Sequence, residues 1–169
     1  MGKEFFDIVS KQDKVIGRID KATAHQTGAL HRAVHVFVFN KKGQLLLGKR
    51  SKKKLLAPGL WDSSVGEHAK AGETYEKAAI RGLKEELGIR TKKAKKLFKI
   101  RINDKTSAYH NREFIMLFEK EFNGKVKPNS ESEKTAWFSI KALKSKIKKN
   151  PKVFCTAFLA FFKKYSKGL

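Results

Sequence analysis

The sequence predicts an α/β or α+β sandwich, in which helices cover a mixed central β-sheet. Three observations support this prediction. The 169 residues are 40% hydrophobic, which is enough to fill the core of one domain. Strand-like runs alternate with segments of helical spacing, and no repeat or low-complexity linker interrupts them. We therefore expect a single domain over residues 1–169.

Residues 1–30 are predicted to form N-terminal strands and a connector. Residues 5–19 have the pattern of a short strand pair, with residues 15–19 as the second strand. Residues 21–30 are mostly small and polar, which indicates an irregular connector or a short helix.

The next two strands are predicted to form a hairpin. Residues 33–39 are β-branched and aromatic, as expected for a central strand. Turn residues 40–43 then lead into a second strand at residues 44–50. After a proline-glycine break, residues 60–65 are predicted to be a further short strand.

A helix of about three to four turns is predicted over residues 75–87. Thr74 is a suitable N-cap, and Gly88 stands where a left-handed C-cap is expected. Further strands are predicted at residues 95–102, 112–122 and 136–139. A terminal helix is predicted at residues 151–166, with Pro151 in its first turn.

Charge is the most unusual property of the composition. The chain has 39 Lys and Arg against 16 Asp and Glu, which gives a formal net charge of +23. Such a surface attracts anions. The lysines are spread over most of the chain, so they indicate either a solvated surface or a non-specific affinity for RNA or another polyanion, which would weaken as salt rises.

No segment has the length of a membrane span. The most apolar stretch, residues 153–162, is about half as long as a transmembrane helix requires. We expect no membrane insertion and a soluble, cytoplasmic protein. The single cysteine, Cys155, lies in this stretch with helical spacing, which favours a buried side chain over a disulfide or a nucleophile.

Acidic residues gather in the predicted loop and helix over residues 66–89. On a helix, Glu85 lies one turn from Arg81, and Glu86 follows directly. Adjacent carboxylates raise each other's pKa unless cations hold them. Mg²⁺ accepts such oxygen ligands and keeps positions for water and substrate phosphates. The segment therefore favours a metal site for a diphosphate, whereas the alternative is an ordinary amphipathic helix with ion pairs one turn apart.

This segment resembles the Nudix box, Gly-x5-Glu-x7-Arg-Glu-U-x-Glu-Glu-x-Gly-U, in which U is a bulky aliphatic residue. The positions in register are Glu73, Arg81, Leu83, Glu85, Glu86, Gly88 and Ile89. The resemblance implies a Nudix α/β/α sandwich, and it implies Mg²⁺ or Mn²⁺ ligation by Glu85 and Glu86. Glu73 would support the metal site, and Arg81 would orient it through an ion pair.

Two positions depart from the box. Glu67 stands where the box opens with glycine, and Gly82 stands where the box has the glutamate of Arg-Glu. In the family that glutamate often assists the attacking water, so a substitute base is needed here. The candidates are Glu67, His68, Glu113 and Glu131, and Glu67 is also a candidate metal ligand.

Outside the box, the chain is similar to the Nudix branch that includes type 1 isopentenyl diphosphate isomerase. The similar stretches are residues 6–9, 17–19, 30–36, 43–47 and 58–62. In that enzyme three histidines and two glutamates hold a metal, and the resemblance places His25, His31 and His68 at the histidines. Glu113 matches the second glutamate, and Asn111 replaces the first.

The similarity to the isomerase breaks at the catalytic cysteine. Gly66 occupies that place, and Cys155 lies far along the chain in the predicted terminal helix. Without a thiol at position 66, the isomerase mechanism of protonation and deprotonation lacks one partner. We therefore expect hydrolysis rather than isomerisation.

The expected substrate is a small molecule with a diphosphate linkage, such as a nucleoside-diphosphate derivative or a related metabolite. Arg50, Arg32 and Lys49 are predicted to bind its phosphates from strand ends, and His25 and His31 are predicted to line its site. Two alternatives stay open. One is isopentenyl diphosphate isomerase activity, and the other is a module that has lost hydrolysis and binds RNA or another polyanion.

Overall fold

The computed structural model describes residues 3–54, 56–105 and 109–168. The strands are β1 (Phe5–Val9), β2 (Val15–Asp20), β3 (His31–Phe39), β4 (Leu45–Arg50), β5 (Trp61–Asp62), β6 (Val65–His68), β7 (Lys95–Lys105), β8 (His110–Glu121) and β9 (Ser132–Phe138). The helices are α1 (Lys21–Thr27), α2 (Tyr75–Leu87), α3 (Ile140–Lys149) and α4 (Thr156–Tyr165), and a 3-10 turn covers Pro151–Val153.

The main sheet is mixed, as predicted. Its order is β5-β4-β3-β8-β7, with β6 paired to β3 and β9 paired to β4. Strands β3 and β8 are parallel, and the other pairs are antiparallel. Strands β1 and β2 form a separate hairpin, which confirms the predicted strand pair.

Side-chain alternation along β3 divides the core between the two faces of the sheet. Val34 and Val36 point to the face covered by α2. Ala33 and Phe37 point to the opposite face, where α3 and α4 supply the apolar cover. This arrangement confirms the predicted α/β/α sandwich, because a sheet that is apolar on both faces must be covered on both.

The helix of the box segment has the predicted bounds. The Thr74 side chain accepts a hydrogen bond from the backbone N–H of Lys77, and Gly88 ends the helix with φ of 68°. Both ends are thus capped by residues that suit the position.

The hairpin predicted after β3 is wrong beyond its turn. Strands β3 and β4 pair only at Phe39 and Leu45, and then they diverge. The Ser64 hydroxyl bridges the gap, because it accepts from the Val38 N–H at 2.8 Å and donates to the Leu46 carbonyl at 2.6 Å. The strand predicted at residues 60–65 is accordingly split into β5 and β6.

The C-terminal segment also differs from the prediction. Helix α3 was not predicted, because Leu143 is its only buried side chain and lysines fill most of the other positions. Pro151 lies in the 3-10 turn, and the terminal helix begins later, at Thr156. Among the described residues, no helix is both long and apolar enough to cross a membrane.

Candidate metal and diphosphate site

A cavity of about 960 Å³ opens beside β6. Its lining includes His25, Glu67, His68, Glu113 and Glu131. A narrow cleft that shares Glu131 with this cavity continues to Glu86. Two of the predicted imidazole ligands and two of the predicted metal-binding carboxylates, Glu67 and Glu86, therefore face one continuous space.

Four side chains form the imidazole cluster, which consists of His25 on α1, His31 on β3, His68 on β6 and Glu113 on β8. Their donor atoms all lie within 4.8 Å of one another. The sheet register explains this proximity, because His31 is opposite Glu113 and His68 is opposite Ala33. The Glu113 carboxylate lies 2.9 Å from Nε2 of His68 and 3.4 Å from Nε2 of His31.

The imidazole rings are held in place by their surroundings. Nδ1 of His31 lies 2.8 Å from the carbonyl oxygen of Ala29, which leaves Nε2 directed toward the cluster. The ring of Phe6, which is fully buried on β1, stacks on His31 with 5.0 Å between centroids and on His68 with 4.7 Å. The N-terminal hairpin therefore forms one wall of the cluster.

Burial and neighbouring charges shift the pKa values of two side chains in the cluster, His25 and Glu113. Burial, followed by the neighbouring His68 and His31, lowers the pKa of His25 to about 4, so the ring is neutral at pH 7. Burial alone would raise the pKa of Glu113, but its contacts with His31 and His68 hold that pKa well below the usual range. The cluster thus contains a neutral His25 and an ionised Glu113 at pH 7.

Unpartnered atoms show that a metal fits these residues. Nε2 of His25 and Nε2 of His31 are buried without a hydrogen-bond partner, and so is Oδ1 of Asn111, a residue that also lines the cavity. Buried polar atoms are normally satisfied. Three imidazoles and one carboxylate are a donor set that suits Zn²⁺ or another transition metal better than Mg²⁺.

Arg81 contacts three carboxylates of the box segment. It lies 2.9 Å from both oxygens of Glu73, 3.0 Å from Glu67 and 3.2 Å from Glu85, and it donates to the carbonyl of His68 at 2.8 Å. Burial would lower the pKa of Arg81, but these partners raise it instead, so the guanidinium stays charged. The loop before α2 is therefore tied to the helix.

Glu86 differs from the other box glutamates. It is 9% exposed, and its Oε1 has no hydrogen-bond partner. Burial, followed by the charges of Glu67 and Glu131, raises the pKa of Glu86 well above its usual range. A nearby cation would reverse this effect, because it favours the ionised form.

The predicted metal ligands are thus only partly brought together. Glu67 and Glu86 face the cavity and its cleft, whereas Glu73 is bound by Arg81 and by the Lys70 N–H. The Glu85 side chain is 49% exposed and pairs with Arg81. Within the described residues, the imidazole cluster is the only group of three or more His, Cys, Asp or Glu side chains whose donor atoms lie within 4.8 Å of one another.

Of the three predicted phosphate ligands, only Arg50 lines the cavity. Arg50 lines the cavity, but it already donates to Asp62 and to the Leu56 carbonyl. Lys49 pairs with Glu133 at 3.3 Å, and Arg32 pairs with Asp13 at 2.7 Å, and neither lines the cavity.

Two lysines that the sequence did not single out, Lys53 and Lys54, line the cavity instead. They belong to the run of lysines at residues 52–54. Nothing in the sequence distinguishes them from the other lysines, so only tertiary structure identifies them.

Cys155 is closer to the site than its sequence position implies. Its backbone N–H donates to the Trp61 carbonyl at 2.9 Å, which brings the buried thiol to the cavity wall beside Asp62. Burial raises the pKa of this thiol, so it stays protonated. At the place of the isomerase cysteine, a Cβ on Gly66 would lie 3.4 Å from the His35 ring, which fills the neighbouring space.

Comparison with known proteins shows which protein family the chain belongs to. Residues 29–157 match the NUDIX domain, so the chain belongs to the Nudix family. This result confirms the family inferred from the box segment.

Two individual relatives and one solved structure are similar to the chain. The chain is 48% identical over 86 residues to isopentenyl-diphosphate Delta-isomerase 2 of Photorhabdus laumondii, a match that spans 51% of this chain and 49% of that protein. It is 31% identical over 170 residues to isopentenyl-diphosphate Delta-isomerase of Serratia proteamaculans, spanning 95% of this chain and 90% of that protein. The fold matches a crystal structure from Deinococcus radiodurans with a TM-score of 0.72 and 26% identity, covering 87% of this chain and 90% of that one.

Proposed function

We propose that the protein is a metal-dependent Nudix hydrolase that cleaves a diphosphate linkage in a nucleoside-diphosphate derivative or a related metabolite. The observation that carries this proposal is the buried, unpartnered carboxylate of Glu86. The negative charges of Glu67 and Glu131 act on it, and Lys54 offsets them only in part. Such a group is costly to bury unless a cation binds it.

Mg²⁺ or Mn²⁺ bound there would neutralise substrate phosphates and make a water molecule more acidic. The residues of the chain supply the rest of the site. Lys53 lines the same cavity and is suited to attract phosphate oxygens, and Lys54 lines it while paired with Glu131. Arg81 fixes Glu67 relative to α2, so the carboxylates are in place before substrate binds.

Isopentenyl diphosphate isomerisation is the second candidate. The imidazole cluster favours it, as does the likeness to the Serratia proteamaculans protein over most of both chains. Gly66 argues against it, because no thiol stands at that position and the His35 ring lies next to it. Cys155 is a poor substitute, since burial raises the pKa of its thiol.

The test is product analysis with a panel of nucleoside diphosphates, dinucleotides, nucleotide sugars and isopentenyl diphosphate, with Mg²⁺ or Mn²⁺. We expect release of phosphate or of a nucleotide. Glu86→Gln should lower kcat/KM by roughly a hundredfold, because it removes the negative charge that the cation needs. Glu76→Gln is the matched control, since Glu76 lies on the same helix and pairs with Lys96.

Each other outcome identifies a different function. Conversion of isopentenyl diphosphate to an isomer without phosphate release supports the second candidate. Metal binding with no turnover of any compound contradicts both enzymes, and it favours a module that binds RNA or another polyanion.

A further inference from the structure

The two departures from the box pattern are neighbours in space. Gly82 lies on the buried side of α2, and Glu67 lies on β6 beneath it. A Cβ added at Gly82 would be 3.3 Å from Cβ of Glu67 and 3.7 Å from its Cγ. The stem of Glu67 therefore occupies space into which a side chain at position 82 would extend.

Helix propensity does not explain Gly82, because glycine is unfavourable inside a helix. Close packing does explain it, since a Cβ at this position would also lie 2.7 Å from Cγ1 of Val65. The helix approaches β6 more closely than a larger residue would permit. The box has glycine on the strand side and glutamate on the helix side, and this chain has the reverse.

The Glu67 carboxylate lies at the cavity wall, where its Oε1 accepts a hydrogen bond from the His68 N–H at 3.1 Å. Its Oε2 lies 3.0 Å from Nη1 of Arg81, and the side chain is 17% exposed on the cavity wall. The cavity that Glu67 lines continues into the cleft that Glu86 lines. Oε1 of Glu86 is buried there without a hydrogen-bond partner, so it is available to a cation.

We infer that Glu67 supplies from β6 the carboxylate that the box carries on the helix at position 82. Glu67 and Glu86 then form the carboxylate pair that holds the cation. This inference rests on the proposed function. The other acidic candidates are placed differently, since Glu113 belongs to the imidazole cluster and the Glu131 side chain is 44% exposed, whereas Glu67 adjoins position 82.

The first test is Mn²⁺ binding measured by titration calorimetry. The Mn²⁺ bound by the unmodified protein but not by Glu86→Gln defines the carboxylate site and excludes binding at the imidazoles. Glu67→Gln keeps the size of the side chain and removes its charge, so we expect the Mn²⁺ affinity of this site to fall by roughly tenfold or more. Glu133→Gln is the control, because it lies outside the cavity.

The second test exchanges the two residues. Glu67→Gly should weaken Mn²⁺ binding, and Gly82→Glu alone should lower the melting temperature. The double variant should recover the Mn²⁺ affinity to within about threefold of the unmodified protein. Because Val65 would obstruct any side chain at position 82, each variant is also made with Val65→Ala.

The inference is overturned if Glu67→Gln binds Mn²⁺ as tightly as the unmodified protein. It is also overturned if the folded double variant binds no better than Glu67→Gly. These results are separate from turnover. Mn²⁺ binding that depends on Glu67 in a protein without hydrolysis would refute only the proposed function, whereas hydrolysis and Mn²⁺ binding that both survive Glu67→Gln would refute only this inference.

Discussion

Among single residues, His25 links the stability of the protein to pH. Its folded pKa is about 4, against an ordinary value of 6.5. Between these values the unfolded chain binds a proton that the folded chain does not, so the free energy of unfolding falls as pH falls from about 6.5 to about 4. Over this whole range we expect a loss of about 3 kcal/mol, measured by urea unfolding of metal-free protein.

Two substitutions test whether His25 causes this loss of stability or whether acid destabilises the protein in general. His25→Gln should reduce the loss of stability between pH 7 and pH 5. His110→Gln should not, because His110 bonds to Asn103 outside the imidazole cluster. Equal pH dependence in the two variants and the unmodified protein would contradict the prediction.

Gly82 gives a second prediction about a single residue. Alanine would improve helix propensity by roughly 1 kcal/mol, but its Cβ would lie 2.7 Å from Cγ1 of Val65. Overpacking of this kind costs about 1–3 kcal/mol. We therefore expect Gly82→Ala to destabilise the protein by about 1 kcal/mol in urea unfolding, whereas Lys84→Ala, on the exposed side of the helix, should be nearly neutral. A stabilised Gly82→Ala protein would refute the packing explanation.

Among the secondary-structure elements, β1 has a specific role in the metal site. Phe6 stacks on two of the three imidazoles in the cluster. Phe6→Leu should lower the affinity for Zn²⁺ by about tenfold, because the rings lose the surface that orients them. The measurement is competition with a chromophoric chelator. Phe5→Leu is the control, since Phe5 contacts Arg18 instead, and an equal loss in both variants would indicate general loosening of the hairpin.

The elements that could be predicted from sequence are those whose ends are determined by residues close by in the sequence. Thr74 and Gly88 define α2 because caps act on their own helix. The β3–β4 hairpin was predicted correctly only at its turn, because the pairing beyond the turn depends on Ser64 and on strands distant in sequence. Helix α3 was not predicted because its many lysines leave only a narrow apolar side, which gives a weak helical pattern in the sequence.

The candidate site was predictable to a similar extent. The box spacing located Glu86, and likeness to the isomerase branch located the three histidines. Neither pattern contains distances, so neither could reveal that Glu67 and Gly82 touch, or that Cys155 reaches the cavity. These relations arise from packing between segments that are far apart along the chain.

For the whole molecule, the charge is distributed unevenly. Residues 140–168 contain nine lysines and no aspartate or glutamate. None of these lysines forms a salt bridge with a residue in the described ranges. We expect association with single-stranded RNA that weakens linearly with the logarithm of salt concentration, with a slope of about −0.7 for each phosphate contacted. Fluorescence anisotropy at several salt concentrations measures this slope.

A matched pair of variants tests where the RNA binds. Changing Lys141, Lys144, Lys148 and Lys149 to Gln should reduce the slope more than changing Lys11, Lys14, Lys41 and Lys42 to Gln. All eight side chains are exposed, and both sets remove the same charge. Equal effects would show that net charge alone determines the association.

The parallel pairing of β3 and β8 also has a consequence for how the chain folds. His31 and Glu113 become neighbours only through this pairing, which joins distant parts of the sequence. Contacts of this kind form slowly, since a long loop must close first. During refolding, the ability to bind Zn²⁺ should therefore arise late, after α2 has formed. The time course of Zn²⁺ binding would then report when the central sheet is complete.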